Sequence, residues 1–517
     1  MKAPLSYVPL LPALLSLAAG VLLFRAVPSV WIPCLLLGAG IAMIPARQLL
    51  PACVAAGILA GWCTAYVQLD NADTHPALPD GCTLEGTVLT SAGQSYGQTA
   101  DVEVSGIMSQ DSSLTAVNPF RVRATVNSLF PELSPGNIVR FSAESLTDPM
   151  NSDPDLPDER NTGETVWNRG IALRAFVTSE KISVTGDDTS LRFRLMRLRN
   201  TVVRLIFNSG VSDGTAMFLA AAIMGDDDAL TPESRRLFAA SGQAHVLALS
   251  GAHVAIIAAL IALALFPLTL AGFNEARTVT TIAALWVYAV MTGLSPSVTR
   301  AVIMTSMVLG AYLLRRRNSA FNALAAAAIL IIFFDPGAMF QPGFQLSFSA
   351  VAAILLLAEK MNPIPRQWGN MFYGIGTALT LPIVAMLGTA VISVSYFHIF
   401  PVYFLLSAIP SGYILSALIS GGILLIITEY AGIPHGWLNS VLDTLYGWSV
   451  KIMETVSSMP HAVIERIYPD SVTIALAIGA IVMTVCLIHL RRRIYAVAAL
   501  TLVAGCVVTE TDRKSVV

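Results

Sequence analysis

The sequence predicts a polytopic α-helical membrane protein of about eleven to thirteen spans that carries an N-terminal β-rich domain outside the membrane. Of its 517 residues, 55% are hydrophobic and only 12% are charged, whereas a soluble domain carries about twice that charge. The mean hydropathy is +0.67. Apolar runs near the ~20 residues that a helical span needs recur along the chain, and one long polar segment interrupts them.

Three apolar runs open the chain, over 6–24, 28–44 and 50–67, so residues 1–67 are predicted to be N-terminal transmembrane helices. The first run has the character of a signal peptide. It is long, however, and two further runs follow it closely, so we predict a retained span.

The polar segment 68–190 contains alternating stretches such as CTLEGTVL and FRVRATV, separated by turn residues. About five such strands favour a small barrel or sandwich, of the OB type. Acids outnumber bases here, so a nucleic-acid contact would need a local basic patch. The candidates for it are Arg121, Arg123, Arg140, Arg169 and Arg174. Cys82 is the only cysteine of the segment, which excludes an internal disulfide.

Residues 191–207 predict an amphipathic helix lying in a membrane interface. Its apolar stripe is Leu191, Leu195, Leu198, Val202 and Ile206, and the arginines opposite are Arg194, Arg197 and Arg204. This helix opens a predicted permease core over 191–430. Its predicted spans lie near 246–270, 279–294, 298–314, 321–334, 344–358, 372–392, 397–409 and 414–428.

Residues 431–517 hold a second amphipathic stretch, 437–459, and two closing spans near 472–490 and 495–508. Basic residues in short loops favour the cytoplasmic side of a membrane. With the N-terminus in the cytoplasm, the Arg315–Arg317 and Arg491–Arg493 runs both fall on that side. The same parity places the β-rich domain and the C-terminal tail outside the cytoplasm, in a multi-pass protein.

A polar approach runs straight into an apolar run between Gly225 and Leu265, and His245, Ser250, Gly251 and His253 stand at the junction. Polar side chains at membrane depth usually face protein, water or a pathway. Ser250 and His253 are three apart and share a helix face, while a glycine between them would allow a bend or a close helix contact. The pattern predicts the mouth of a polar passage.

Two other interpretations of this junction stay open. Interhelical hydrogen bonding beside a tight glycine contact is the structural one. A serine–histidine hydrolase pair is the chemical one, but Ala248 and Ala252 occupy the positions of the nucleophile-elbow glycines, and the span offers no carboxylate to orient the base.

A second polar signal is GLSPSVTRAVIM, in which Pro296 starts a helix with Ser297 and Arg300 in its first turns. An unpaired arginine at membrane depth costs roughly 2.5–3.5 kcal/mol on insertion scales. Arg300 therefore either extends outward to water or faces a wet cavity, where it would meet an anion such as phosphate.

A third signal is DPGAMFQPGFQLSFS, where Asp335 and Pro336 are predicted to end one span. Pro342 and Gly343 then break the chain before Gln345 and Ser347. Broken helices with polar residues are typical of pathway linings, although glycine and proline also serve plain packing.

Asp226–Asp228 is either a metal site or, on the simpler interpretation, a solvated turn before a helix that starts at Thr231 and Pro232. The sequence has no GxxxxGK[ST] loop, hence no recognisable ATPase motor, and no metal-hydrolase signature. No metal or other cofactor is expected.

Together, these segments resemble the ComEC family of competence DNA-uptake permeases. FLAAAIMGDDDALTPESRRLFAASGQAHVLALSGAHV, GLSPSVTRAVIM and DPGAMFQPGFQLSFSA are similar to three ordered motifs of that family. The resemblance implies a channel that imports single-stranded DNA across the cytoplasmic membrane during natural transformation. The positions it carries over are Gly242, His245, Ser250, Gly251, His253, Ser297, Arg300, Gln345 and Ser347.

The resemblance also implies partners: single-stranded DNA, the lipid bilayer, a cytoplasmic helicase-like ATPase, an extracytoplasmic DNA receptor and further copies of the chain. Larger family members continue into a metallo-β-lactamase-like domain that this sequence, ending at Val517, does not contain. We therefore expect no enzymatic activity and a separate nuclease. The alternatives are an intramembrane serine hydrolase and a transporter of another envelope polymer or lipid-linked substrate.

Overall fold

A computed structural model of the chain describes residues 10–26, 56–65, 82–94, 97–108, 114–128, 133–142, 146–147, 171–226, 232–247, 249–314, 320–465, 467–490, 498 and 501–502. The chain divides into two compact units. The first consists of Met1–Arg204 and Ile261–Gln341, and the second of Leu205–Leu260 and Pro342–Val517.

The polar segment of the first unit forms a seven-stranded sheet in the order β5-β6-β3-β2-β1-β4-β7. The strands are β1 (Thr83–Gln94), β2 (Gly97–Met108), β3 (Leu114–Val126), β4 (Asn137–Ser142), β5 (Leu146–Thr147), β6 (Ile171–Val177) and β7 (Ile182–Asp187). Only β3 and β6 pair in parallel. Alternate residues point into one apolar core, as the sequence pattern predicts. Its members include Leu84, Val102, Val122, Val139 and Phe141.

The sheet thus has seven strands where about five were expected. The two at its edges explain the difference. β5 is two residues long, and β7 buries only Ile182, so neither shows the alternation by which a half-buried strand is found in a sequence.

Two helices before the sheet, α1 (Leu11–Ala26) and α2 (Ala56–Ala65), pack through glycines. A Cβ at Gly20 would collide with the Ile58 carbonyl, and one at Gly61 with the Leu17 carbonyl. Small residues allow such close approach of two helix backbones, which is typical of helix contacts in membranes.

Helix α3 (Leu191–Asn208) occupies the predicted amphipathic segment. Ile206 of the predicted stripe is fully buried, but the contact of the helix with the sheet uses residues outside that stripe. Phe193 and Met196 are buried in a cluster with Leu89 of the sheet, whereas Leu191 and Leu198 of the predicted stripe are 72% and 46% exposed. The sheet beside the helix decides this, and a wheel drawn from sequence has no knowledge of that neighbour. Placement of α3 in a membrane interface stays a prediction.

Thirteen further helices follow among the described residues: α4 (Asp213–Met224), α5 (Pro232–Ala240), α6 (Ala244–Leu247), α7 (Gly251–Ala264), α8 (Phe266–Leu270), α9 (Asn274–Met291), α10 (Pro296–Leu313), α11 (Ala320–Phe334), α12 (Pro342–Met361), α13 (Asn370–Phe397), α14 (Phe404–Tyr430), α15 (Gly436–Ser457) and α16 (Ser471–Leu490). Of the helices described, α12, α13 and α14 are long and apolar enough to cross a membrane, compared with the eleven to thirteen spans expected over the whole chain.

One predicted pair of spans is wrong. Residues 397–409 and 414–428 do not form two helices, because α14 runs unbroken from Phe404 to Tyr430 with Pro410 inside it. A proline suggests a boundary, yet neighbouring groups in a membrane protein can accommodate the freed carbonyl. The chain instead turns at Phe400–Pro401 (β8), which pairs with Val463–Ile464 (β9).

The predicted break after α11 is present. The helix ends at Phe334, and the Asp335 carboxylate accepts a hydrogen bond of 3.2 Å from the Ala338 amide at the start of a short 3-10 helix. Burial raises the pKa of the Asp335 carboxyl, and the hydrogen bonds from the Ala338 and Gly337 amides partly oppose that rise. α12 then begins at Pro342, so the two helices are separate elements.

Candidate functional site

The predicted junction between polar approach and apolar helix is built by the first turn of α7. Ser250 directly precedes the helix and His253 is its third residue, so they lie within reach of each other. The Ser250 Oγ atom is 2.6 Å from His253 Nδ1, and the Ser250 backbone N–H donates to the same nitrogen at 3.2 Å. A side chain three residues into a helix that binds the first backbone amide acts as a capping group.

These contacts determine which ring nitrogen carries the proton in neutral His253. Because Nδ1 accepts the backbone N–H of Ser250, the ring proton sits on Nε2. That atom is buried and makes no hydrogen bond of normal geometry with a described residue, although the Val246 backbone lies near the ring; the side chain as a whole is fully buried. An unpaired buried donor costs free energy, so the site holds one N–H group that is ready for an acceptor.

Gly251 does not provide the close helix contact that was expected. It is exposed, and a Cβ there would meet nothing within 4 Å in the described part of the chain. His245, on the short helix α6, is exposed as well, and Ser250 is half-buried. At this junction, therefore, Gly251 and His245 are exposed and His253 is buried.

Three polar residues that the sequence did not single out support the turn before α6. Gln243 donates to the Ser407 hydroxyl of α14 at 3.1 Å, and Ser407 donates to the Ser241 carbonyl at 2.7 Å. Gly242 lies between them with φ +80°, and a Cβ there would come within 2.9 Å of Phe404 Cβ. The family resemblance had marked Gly242, whereas Ser407 is 164 residues from Gln243 and had no signal in the sequence.

The second candidate group lies at the start of α10 in the first unit. Arg300, in the second turn, is 6% exposed and its Nε atom has no hydrogen-bond partner within the described residues. No described carboxylate pairs with it. Ser297 is half-buried three residues earlier, on the same helix face. Helical side chains lean toward the N-terminus, so Arg300 extends toward the free amides of the first turn.

The backbone before α10 is strained. Leu294 adopts φ +53° directly after Gly293 at φ +78°, although a branched side chain rarely enters this region. The next residue, Ser295, begins the helix without a capping bond, and its buried hydroxyl has no described partner. Strain of this kind persists where the surrounding structure holds it, often at functional sites.

The other predicted residues stand elsewhere. Gln345 and Ser347 are half-buried in the first turns of α12, in the second unit together with the Ser250–His253 pair, whereas Ser297 and Arg300 belong to the first unit. Asp226 follows α4, and Asp227, Asp228 and Thr231 lie outside the described residues. The described residues contain no group of three His, Cys, Asp or Glu side chains that would hold a metal ion.

The arginines of the sheet are paired with acids on neighbouring strands. Arg123 of β3 binds Asp101 of β2 through two hydrogen bonds of 2.7 and 2.9 Å. Arg140 pairs with Glu85. Arg121 lies 4.0 Å from Glu103, Arg174 is the register neighbour of Arg123 on β6, and Arg169 lies outside the described residues. The pairs neutralise most of the described part of the expected patch.

These features define the class: a mostly helical protein with candidate membrane spans, an N-terminal sheet domain and polar groups at the starts of apolar helices. A family model described as "Competence protein" matches residues 222–492, which is slightly more than half of the chain. The matched range contains the second and third predicted motif segments and all but the first four residues of the first. The chain belongs to the competence protein family, and it is of the ComEC type.

Curated relatives agree with this assignment. The chain is similar to "ComE operon protein 3" of Bacillus subtilis (strain 168), with 24% identity over 342 residues that cover 65% of this chain and 42% of the relative. It is similar to "Competence protein ComA" of Neisseria gonorrhoeae, with 29% identity over 174 residues, 31% of this chain and 25% of the relative.

A third relative, an uncharacterized protein of Aquifex aeolicus (strain VF5), is 28% identical over 253 residues, 49% of this chain and 56% of that protein. The matches thus span about half or less of each relative's length. No solved structure matches the chain.

Proposed function

We propose that this chain is an inner-membrane channel that imports single-stranded DNA during natural transformation. The observation that carries the proposal is the pair of polar groups without described partners at the starts of two apolar helices. These are the His253 Nε2–H of α7 and the Arg300 Nε–H of α10. Both lie in the range that matches the competence family. A donor and a cation suit the oxygens of a phosphodiester backbone, which every DNA sequence shares.

In this proposal the chain is a multi-pass protein with its N-terminus in the cytoplasm and its sheet domain and C-terminal tail outside. His245, Ser250, Gly251 and His253 form the outer mouth, and Gln345 and Ser347 line the path. The sheet domain, of the OB type, presents the strand through those of its arginines that exchange a carboxylate for a phosphate.

In this proposal, partners of the chain supply the motor, nuclease and receptor steps. A cytoplasmic helicase-like ATPase pulls the strand, an extracytoplasmic receptor delivers it, a separate nuclease removes its complement, and copies of the chain assemble. Each partner is an expectation of the family relationship.

A transformation assay tests the proposal. A strain without this chain should bind fluorescently labelled DNA at its surface and fail to move it into the cytoplasm, and expression of the chain from a plasmid should restore the transfer. Normal transfer in the deletion strain would refute a DNA channel. A changed envelope with normal transformation would instead indicate a transporter of another polymer or of a lipid-linked substrate.

The 2.6 Å contact between Ser250 Oγ and His253 Nδ1 favours a second candidate, an intramembrane serine hydrolase. A histidine at this distance is able to act as the general base of a serine nucleophile. A fluorophosphonate probe distinguishes the two functions. A hydrolase would be labelled, and Ser250→Ala would lose the label; a channel would not react above the level of that variant.

A further inference from the structure

Helix α15 (Gly436–Ser457) has the amphipathic sequence of a helix that lies along a membrane surface. Its contacts, however, place its two ends beside opposite ends of α14. It packs against α14, which is long and apolar enough to be a span. Leu442 of α15 contacts Gly421, near the middle of α14. Leu406, at the start of α14, lines one groove with Ile452 and Val456, at the end of α15. The two helices are therefore antiparallel neighbours over most of their length.

Both ends of this hairpin are tied. At one end, His435 Nε2 lies 3.2 Å from the Glu429 carboxylate. At the other end, β8 pairs with β9, the Val402 amide donates to the Ala462 carbonyl at 2.9 Å, and the Tyr403 hydroxyl donates to the Pro460 carbonyl at 3.2 Å. If α14 crosses the bilayer, the beginning and end of α15 must lie on opposite sides of it.

Length and charge agree with a crossing. The 22 residues of α15 extend about 33 Å, enough for a hydrocarbon core of about 30 Å. Basic residues lie at the end of α12, with Lys360 in its last turn and Arg366 beyond it, and Arg491–Arg493 follow α16. Four crossings, by α13, α14, α15 and α16, put both basic groups on one side, as the positive-inside rule requires. Without α15 they would be on opposite sides.

The exposed surface of α15 is divided lengthwise. One stripe is polar or small along the whole helix and continues to the residue after it: Ser440, Thr444, Gly447, Lys451, Glu454 and Ser458, all exposed. Beside it lie the exposed Trp437, Val441 and Trp448. The stripe hydroxyls bond only to carbonyls of the preceding turn, and neither Lys451 nor Glu454 pairs with a described residue. Lipid offers the charges of Lys451 and Glu454 no partner.

We propose that α15 crosses the membrane and that its polar stripe is one wall of a water-filled path for a polyanionic strand, whereas Trp437, Val441 and Trp448 face lipid. The identity of the strand as DNA rests on the proposed function; the crossing does not. The single cation and single anion of the stripe leave it without net charge. A wall of this kind keeps a passing phosphate backbone hydrated but binds it only weakly, as transport requires.

Cysteine labelling in intact cells tests the crossing. The six native cysteines are first replaced, and a membrane-impermeant maleimide is applied before and after permeabilisation. Ala431→Cys and Glu465→Cys flank the helix and should label from opposite sides. Labelling of both from the same side would overturn the crossing, whether or not the chain imports DNA.

The wall is tested with matched positions on the same helix. Thr444→Cys and Gly447→Cys should react quickly with a water-requiring thiol reagent, and Val441→Cys should not. Gly447→Trp should then lose DNA uptake while Val441→Trp keeps it, at equal protein levels. Equal reactivity of the two faces would refute the wall. Reactivity as expected, in a chain whose deletion leaves transformation intact, would refute the DNA channel and leave the wall standing.

Discussion

Two helices of this protein begin with a serine followed by a basic residue, and the two starts differ in what the basic residue binds. At α7, His253 turns back to Ser250 and uses one ring nitrogen to cap the helix. At α10, Arg300 Nε has no hydrogen-bond partner among the described residues, and the Ser295 side chain before the helix makes no capping bond. The polar groups at the start of α7 thus hydrogen-bond to each other, whereas Ser295 Oγ and Arg300 Nε at the start of α10 have no partner among the described residues.

The comparison distinguishes a polar side chain that stabilises the fold from one that is available to a ligand. A histidine has two nitrogens, so it can hold the backbone with one and offer the other outward. A buried arginine has no such local use at α10, and its burial raises the free energy of the folded chain unless an anion arrives. We therefore expect substitutions at Arg300 to affect transport without harming the fold, and substitutions at His253 to affect both.

Arg300→Ala should have the largest effect on uptake. A hydrogen bond to a charged group contributes about 1.5–3 kcal/mol, equivalent to roughly 10- to 150-fold in binding, and the guanidinium can make several. Transformation frequency measures the loss, and an immunoblot of membranes checks that the protein level is unchanged or higher. Arg300→Lys, which keeps the cation, should retain part of the uptake. Normal transformation by Arg300→Ala would exclude a role for this cation in the path.

His253→Ala should come next, because it removes both the cap and the free N–H. Loss of a helix cap costs about 0.5–2 kcal/mol, so thermal unfolding in detergent should shift down together with uptake. His253→Gln supplies an acceptor for Ser250 and a donor beyond it, and should restore the unfolding temperature and part of the uptake. A loss of stability alone, with full transformation, would reduce His253 to a capping residue.

Two glycines of the same motif should respond in opposite ways to alanine. Gly242 has a positive φ and lies against Phe404 and Pro401, so Gly242→Ala should destabilise the protein by about 1–3 kcal/mol. Gly251→Ala adds a methyl group in open space at a helix start and should change stability by less than about 0.5 kcal/mol. Differential scanning fluorimetry in one detergent compares them. Equal destabilisation would mean that Gly251 is packed in the membrane.

The smallest expected effect is on pH dependence at the α14–α15 turn. His435 has a pKa raised above 6.5, first by the hydrogen bond to the Ile433 carbonyl and then by the Ser209 carbonyl and the Glu429 carboxylate, against the opposing effect of burial. A raised pKa in the folded state stabilises at pH values below 6.5 and loses that contribution as the pH rises through the raised value. Unfolding temperatures of His435→Gln should therefore vary less across this pH range than those of the parent chain.

Polar residues in apolar runs are rare enough to be informative, so sequence reasoning could single out Ser250 and His253. The Ser250–His253 contact follows from a spacing of three on one helix. The partner of Gln243 did not, since Ser407 is brought to it by the packing of α14 against the turn. The arginines of the sheet were visible as a patch, but the acids that neutralise them lie on other strands and only the register reveals the pairs.

The helical hairpin shows where sequence patterns mislead. Residues 397–409 and 414–428 were predicted as two short spans, whereas 404–430 is one helix with Pro410 inside it. Hydropathy measures how well a segment tolerates lipid on all sides. It does not register the packing of one face of α15 on α14, so the crossing proposed for the amphipathic stretch 437–459 has no signal in it.

The amino-acid order alone determined the membrane character, the β-rich insertion, the ordered motifs of the competence family and the residues that carry their polarity, since each depends on local composition or on spacing within one element. Tertiary structure decided which polar groups satisfy one another, which face of α3 and α15 is buried, and that 404–430 is a single helix. Those outcomes depend on contacts between residues far apart in the chain, and the free energy of such contacts is absent from any local pattern.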